Sequence, residues 1–205
     1  NALKTYNKAL YNTQSFFDFS SLPQSTVTIN GASGNVDTSQ IHFSPHGFVG
    51  SQGGGHIILD GGSGSLTVAG DCIQMFWVGQ FSIQNITLVS SAGGLINLGD
   101  GGTLSVLANV TFGAAVGSPQ ITLSEGSRFQ LANNFTISGG GPYFLSNGGG
   151  YFSASGPITC TVSSNLTYSQ ALVQGSGAGS NTDWNNITIA LGGHTVSGVR
   201  FILQY

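Results

Sequence analysis

Asn85-Ile86-Thr87-Leu88, Asn109-Val110-Thr111-Phe112 and Asn134-Phe135-Thr136-Ile137 write one pattern three times: Asn–apolar–Thr–apolar. Asn165-Leu166-Thr167-Tyr168 and Asn186-Ile187-Thr188-Ile189 write it twice more, so the Asn spacings are 24, 25, 31 and 21 residues. A period in that range marks one supersecondary unit stacked on itself. Two apolar positions flank a Thr, the in–out–in alternation of a half-buried strand. Asn tolerates left-handed backbone and suits a sharp bend before such a strand. Gly-rich stretches such as Ser138-Gly139-Gly140-Gly141 follow most copies and read as turns. One period therefore holds two or three short strands, which is one coil of an all-β parallel β-helix. Coil counting gives about eight.

Working outward, two weaker copies precede these, Thr26-Val27-Thr28-Ile29 and Ser65-Leu66-Thr67-Val68. Aligning all seven predicts two inward ladders. One runs Val27, Leu66, Ile86, Val110, Phe135, Leu166, Ile187; the other runs Ile29, Val68, Leu88, Phe112, Ile137, Tyr168, Ile189. Asn-x-Thr is also an N-glycosylation acceptor. Five copies in register with an apolar repeat are better explained by packing.

Residues 1–22 differ from the rest. Ala2, Leu3, Tyr6, Ala9 and Leu10 recur at helical spacing with Lys4 and Lys8 on the other side, and the first Gly is Gly31. This segment is expected to be a short helix that caps the first coil or links to a preceding domain, with residues 23–205 as continuous solenoid. Gly175-Ser176-Gly177-Ala178-Gly179-Ser180 reads as a loop leaving the rod. The 31-residue spacing predicts an insertion or an extra face around residues 139–150.

The chain has 205 residues, 33 of them Gly, and only 4 Lys or Arg against 7 Asp or Glu. With 40% apolar residues in a periodic pattern it is a folded chain, not a disordered one. So few charges leave solubility to Ser, Thr, Asn and Gln, or place surface inside an oligomer. Nucleic acid is not an expected partner, because phosphate neutralisation needs clustered basic residues. No apolar run has the length of a membrane-spanning helix, so membrane insertion is not expected either. A start at Asn1 suggests a processed piece or fragment. Cys72 and Cys160 lie in strand-like runs and are expected to be buried free thiols.

The acids are Asp18, Asp37, Asp60, Asp71, Asp100, Glu125 and Asp183. Asp60-Gly61-Gly62, Asp100-Gly101-Gly102 and Glu125-Gly126-Ser127-Arg128 read as turns, the last with a local ion pair. Spacing alone leaves open the facing carboxylate pair of a glycosidase, since adjacent coils bring residues about 20–25 apart together, but the turn reading is preferred and no acidic cluster of the kind a calcium site needs is present. His42, His46, His56 and His194 lack metal-ligand spacing, and no Gly-x-Ser-x-Gly elbow or phosphate loop is present. No cofactor, metal or catalytic residue is therefore expected. Aromatic side chains are the better functional candidates, since sugar rings offer apolar faces and polar edges. Phe144, Phe152 and Trp77 read as core. Tyr143, Tyr151 and Trp184 remain as candidate carbohydrate-binding residues.

Asn109-Val110-Thr111-Phe112-Gly113-Ala114, Asn133-Asn134-Phe135-Thr136-Ile137-Ser138-Gly139-Gly140, Ile158-Thr159-Cys160-Thr161-Val162, Val196-Ser197-Gly198-Val199-Arg200-Phe201 and the opening Leu3-Lys4-Thr5-Tyr6-Asn7-Lys8-Ala9-Leu10 resemble phage and prophage tail-fibre or tailspike-like proteins. The resemblance covers most of the chain, and its elements are structural. It implies a homotrimer of right-handed, single-stranded β-helices on a phage tail, contacting bacterial cell-surface glycan; it supplies no catalytic motif. The family's glycine- and asparagine-rich continuation is absent after the last strand, which fits a fragment. The expected location is the virion, extracellular. The rivals are a polysaccharide-degrading β-helix enzyme (a tailspike depolymerase or lyase) and an adhesin passenger, secreted or on the bacterial surface.

Overall fold

The computed structural model describes residues 5–16, 26–43, 56–76, 79–113, 120–138, 144–147, 149–163, 166–167, 173–176, 181–182, 186–197 and 201–203. They form a parallel β-solenoid closed at one end by a single helix, α1 (Tyr6–Phe16). Every strand pair recorded is parallel, as a coil that returns to the same face in each turn requires.

Three faces make up a coil. The first holds Thr26–Asn30, the opening half of His56–Val68, the opening halves of Gln80–Ser90 and Thr103–Phe112, then Arg128–Leu131, Tyr151–Ala154 and Asn181–Thr182. The second, beyond a bend in the same long strands, holds Val36–Asp37, their closing halves, Phe135–Ile137, Ile158–Val162 and Ile187–Ala190. A separate sheet forms the third: Ile41–Phe43, Ile73–Phe76, Ile96–Gly99, Ile121–Leu123, Phe144–Asn147, Val173–Ser176 and Phe201–Leu203. The first and third faces thus stack seven described strands each.

The bend is where the asparagines sit. Asn85 and Asn109 take φ of 51° and 50°, the left-handed region that Asn enters more readily than other non-Gly residues. After the bend Ile86 and Leu88 point inward and are buried, Thr87 is half-buried, and Val110, Thr111 and Phe112 repeat the same alternation. The core is a set of like-on-like ladders. Ile57, Phe81, Leu104, Phe129 and Phe152 stack on the first face; Ile41, Ile73, Ile96 and Ile121 stack on the third. Phe129 and Phe152 lie nearly parallel, 5.9 Å apart at 20°, while Phe112 meets Phe135 edge-on at 5.7 Å.

The expected ladder holds at its centre and shifts at both ends. Ile86, Val110 and Phe135 are in register, as are Leu88, Phe112 and Ile137. Leu66, however, aligns with Leu88, and Gly64 takes the slot opposite Ile86. The register shifts between Asp60 and Gly64, where a longer glycine-rich bend occupies the corner. A Cβ on Gly64 would lie 2.3 Å from the Asn35 carbonyl oxygen, so only glycine fits there. Thr26–Asn30 pairs with His56–Asp60 on the first face, not with the Ser65 copy.

Beyond Phe135 the next rung is Cys160, 25 residues on, and not Leu166. Ile158-Thr159-Cys160-Thr161-Val162 has the same alternation without the leading Asn, so it fills the slot. Leu166–Thr167 pairs instead with Val196–Ser197 in a small separate sheet. Ile189, not Ile187, then follows Cys160. Within the 31-residue gap, Phe135 to Cys160 is a rung-to-rung step of 25 residues, the same as Val110 to Phe135, and it contains Phe144–Asn147, Tyr151–Ala154 and the start of Ile158–Val162. Gly175 and Ser176, expected in a loop, end a strand of the third face. Asn165, Tyr168 and residues 177–180 lie outside the described residues.

The helix closes the first coil as the apolar spacing predicts. Thr5 caps it, its hydroxyl accepting the Lys8 N–H at 3.1 Å. Tyr6 and Leu10 are buried in the same core as the ladders. The Tyr6 hydroxyl donates to the Gly61 carbonyl at 3.2 Å, and its ring fills the space that a side chain at Gly31 would need. Asp37, itself buried, accepts the Tyr6 and Ser39 backbone N–H groups. That carboxylate satisfies an orphan donor at the positive end of the helix. Ala2 and Leu3 lie outside the described residues. No described helix is long and apolar enough to cross a membrane.

Candidate functional site: the outer surface of the first face

Alternation fixes what faces outward. On Arg128–Leu131, Phe129 and Leu131 are buried, so Arg128 and Gln130 point out; on Tyr151–Ala154, Phe152 and Ala154 are buried, so Tyr151 and Ser153 point out. Parallel register places Arg128 directly beside Tyr151 on one side and Thr103 on the other. The Arg128 guanidinium stands 5.8 Å from the Tyr151 ring centroid, within cation–π range. One column over, the Ser105 hydroxyl donates to Gln130 Oε1 at 3.2 Å. Four outward residues from three successive coils thus combine a ring, a planar cation, an amide and a hydroxyl.

Tyr151 is the one predicted sugar-binding residue whose surroundings are known. Tyr143 and Trp184 lie outside the described residues, as does Trp77. Phe152 is fully buried, as expected of core. Arg128 and Gln130 escaped the sequence reading because Glu125-Gly126-Ser127-Arg128 looked like a turn closed by its own ion pair. The turn is real, with Glu125 at φ 52° and Gly126 at φ 72°, but it stacks on the Asp100 turn of the adjacent coil, where the Glu125 carbonyl accepts the Gly101 N–H at 3.0 Å, and Arg128 lies over Tyr151. The missed signal was the 23-residue step from Arg128-Phe129 to Tyr151-Phe152, one coil length.

Toward the capped end this surface becomes more self-contained. His56 Nε2 and Ser82 Oγ are 2.6 Å apart; burial lowers the His56 pKa, favouring the neutral ring. Asp60 accepts hydrogen bonds from Gln84 Nε2 at 2.8 Å and from Asn85 Nδ2 at 3.0 Å to each oxygen. Desolvation, the largest single influence on Asp60, raises its pKa. The bonds from Gly62 N–H, Gln84 and Asn85 together outweigh it and hold the carboxyl below its ordinary value.

Asp71, Asp100 and Glu125 lie in or beside turns, and Asp18 and Asp183 lie outside the described residues. Asp71 accepts from Gly94 N–H at 2.8 Å, Gln74 Nε2 at 2.9 Å and Asn97 Nδ2 at 3.3 Å. The Asp100–Glu125 hydrogen bond raises the Glu125 pKa, and the Asp100 charge raises it further. Among the described residues no group of three or more His, Cys, Asp or Glu is placed to hold a metal ion. Cys72 and Cys160 are buried free thiols, each pushed up to about 12 by desolvation. No protein-family model, curated protein or solved structure matches this chain.

Proposed function

We propose that this solenoid is a receptor-binding segment of a bacteriophage tail fibre or tailspike, working as a homotrimer that holds bacterial surface polysaccharide against its first face. The observation that carries the reading is Arg128 over Tyr151 on an outward column, with Ser105 and Gln130 alongside. A tyrosine ring stacks on the apolar face of a sugar while guanidinium, amide and hydroxyl groups take its polar edge. The scaffold is preorganised, because each side chain stands on a strand fixed by ladders above and below; little ordering cost remains on binding. Rungs about 4.8 Å apart suit an extended glycan lying along the stack. Weak sites repeated on three subunits would gain avidity without new contacts. Val36 and Leu191, 65% and 45% exposed, are apolar surface that an oligomer would cover.

The test is binding of purified chain to surface polysaccharides of candidate host bacteria, with solution mass by light scattering. Saturable binding that Tyr151→Ala removes, on a trimeric particle, is expected. A monomer contradicts the trimer. Release of oligosaccharide during incubation would instead favour a depolymerase.

A further inference from the structure

We infer that the unit bound at Arg128–Tyr151 is an anionic sugar whose acidic group is received by the Arg128 guanidinium; this deepens the glycan reading above and rests on it. Apart from histidine, Arg128 is the one cation on a described strand; the other described cation, Lys8, lies on α1 over the Tyr11 ring. Arg128 is exposed and has no carboxylate partner among the described residues. The acid nearest in sequence, Glu125, stands in the turn stacked on Asp100, where its carbonyl accepts the Gly101 N–H. A guanidinium lying against an aromatic face keeps its edge N–H groups free for a ligand in its own plane, and that fork matches a carboxylate or phosphate.

The neighbours add further donors. Ser105 donates to Gln130 Oε1, and the Gln130 amide nitrogen donates to no described residue. Guanidinium, amide NH2 and phenol O–H therefore stand on the outward side of two adjacent strands. An ionised acidic group accepts only, and the guanidinium, which donates only, is matched to it. The register makes the placement rigid, since Arg128 and Tyr151 are aligned partners of adjacent strands whose next residues, Phe129 and Phe152, stack in the core.

The experiment titrates the whole chain with alginate and with colominic acid, each beside the same polymer after its carboxyls are reduced to alcohols, and with a phosphodiester-linked polysaccharide. Binding to at least one acidic polymer, lost on carboxyl reduction and weakened by added salt, is expected. The phosphodiester arm tells a phosphate receptor from a carboxylate receptor. Arg128→Gln should weaken binding about tenfold, the scale of one charge-assisted hydrogen bond, and Arg128→Lys should recover part of it. The Arg128→Gln chain should keep the wild-type denaturant midpoint, because the side chain is exposed. Equal binding of acidic and reduced polymers, with Arg128→Gln silent and Tyr151→Ala damaging, overturns the anionic assignment and leaves the glycan reading standing. Failure to bind any polymer of the set or any host polysaccharide overturns both.

Discussion

Asn109 donates from Nδ2 to Asn85 Oδ1 at 2.8 Å across one coil, and Asn85 in turn donates to both carboxylate oxygens of Asp60. The repeat's asparagines are thus a polar ladder at the corner as well as a bend. Asn85 and Asn109 are each chosen twice, for a left-handed φ and for an amide that both donates and accepts. The ladder changes form at the next rung, where Asn134 Oδ1 accepts the Thr159 backbone N–H at 2.7 Å.

Replacing Asn85 separates the two roles. Asn85→Ala loses the amide and places Ala at φ 51°, and should lower unfolding free energy by about 2–3 kcal/mol. Asn85→Gly loses only the hydrogen bonds and should cost about 1 kcal/mol. Urea denaturation of the three chains checks the order; equal losses would mean that the left-handed backbone contributes nothing.

The two shifted acids have opposite signatures. The folded Asp60 pKa is depressed, so its stabilisation is present above the ordinary carboxylate value and disappears as pH falls through the folded value. The folded Glu125 pKa is raised, so its contribution is complete below the ordinary value and disappears as pH rises through the folded one. Asp60→Asn should flatten the acid side of the stability–pH curve, and Glu125→Gln should flatten the mildly acidic region above it. Denaturant midpoints across that pH range provide the comparison.

The cap should be divisible in the same way. Leu10→Ala opens a cavity between helix and first coil and should cost about 2–5 kcal/mol. Tyr6→Phe removes one hydroxyl bond to Gly61 and should cost about 1 kcal/mol. Faster hydrogen exchange in Thr26–Asn30 and Ile41–Phe43, the strands that α1 covers, should accompany the Leu10 change.

Both thiols should be inert in the native chain. With pKa values near 12 they carry almost no thiolate at pH 8, and neither is accessible. Mass spectrometry after iodoacetamide treatment should find no modification without denaturant and two adducts with it. Native labelling of Cys160 would mean that the rung between Phe135 and Ile189 opens readily.

What the sequence revealed and what it hid have a common cause. The alternation around Thr87, Thr111 and Thr136 is local, so the core ladder and the bend were legible there. Register is a property of the whole coil. The Asp60–Gly64 corner changes how many residues turn it, and Leu66 slid one slot. Past Phe135 the Asn cue drops out while the coil length persists, so Cys160 fills a place that the motif had assigned to Leu166. The candidate site was half legible for the same reason. Tyr151 stands out as a large amphipathic residue, but its partnership with Arg128 depends on the register between adjacent coils.

Hydroxyl-radical footprinting of the chain with and without a bound bacterial surface polysaccharide tests the glycan-binding face most directly. Tyr11 sits on the capping helix, 61% exposed, and serves as the internal control. Protection of Tyr151 from oxidation, with Tyr11 unchanged, is the result predicted. Saturated binding that leaves Tyr151 as reactive as in the free chain would contradict the assignment of the first face as the receptor surface.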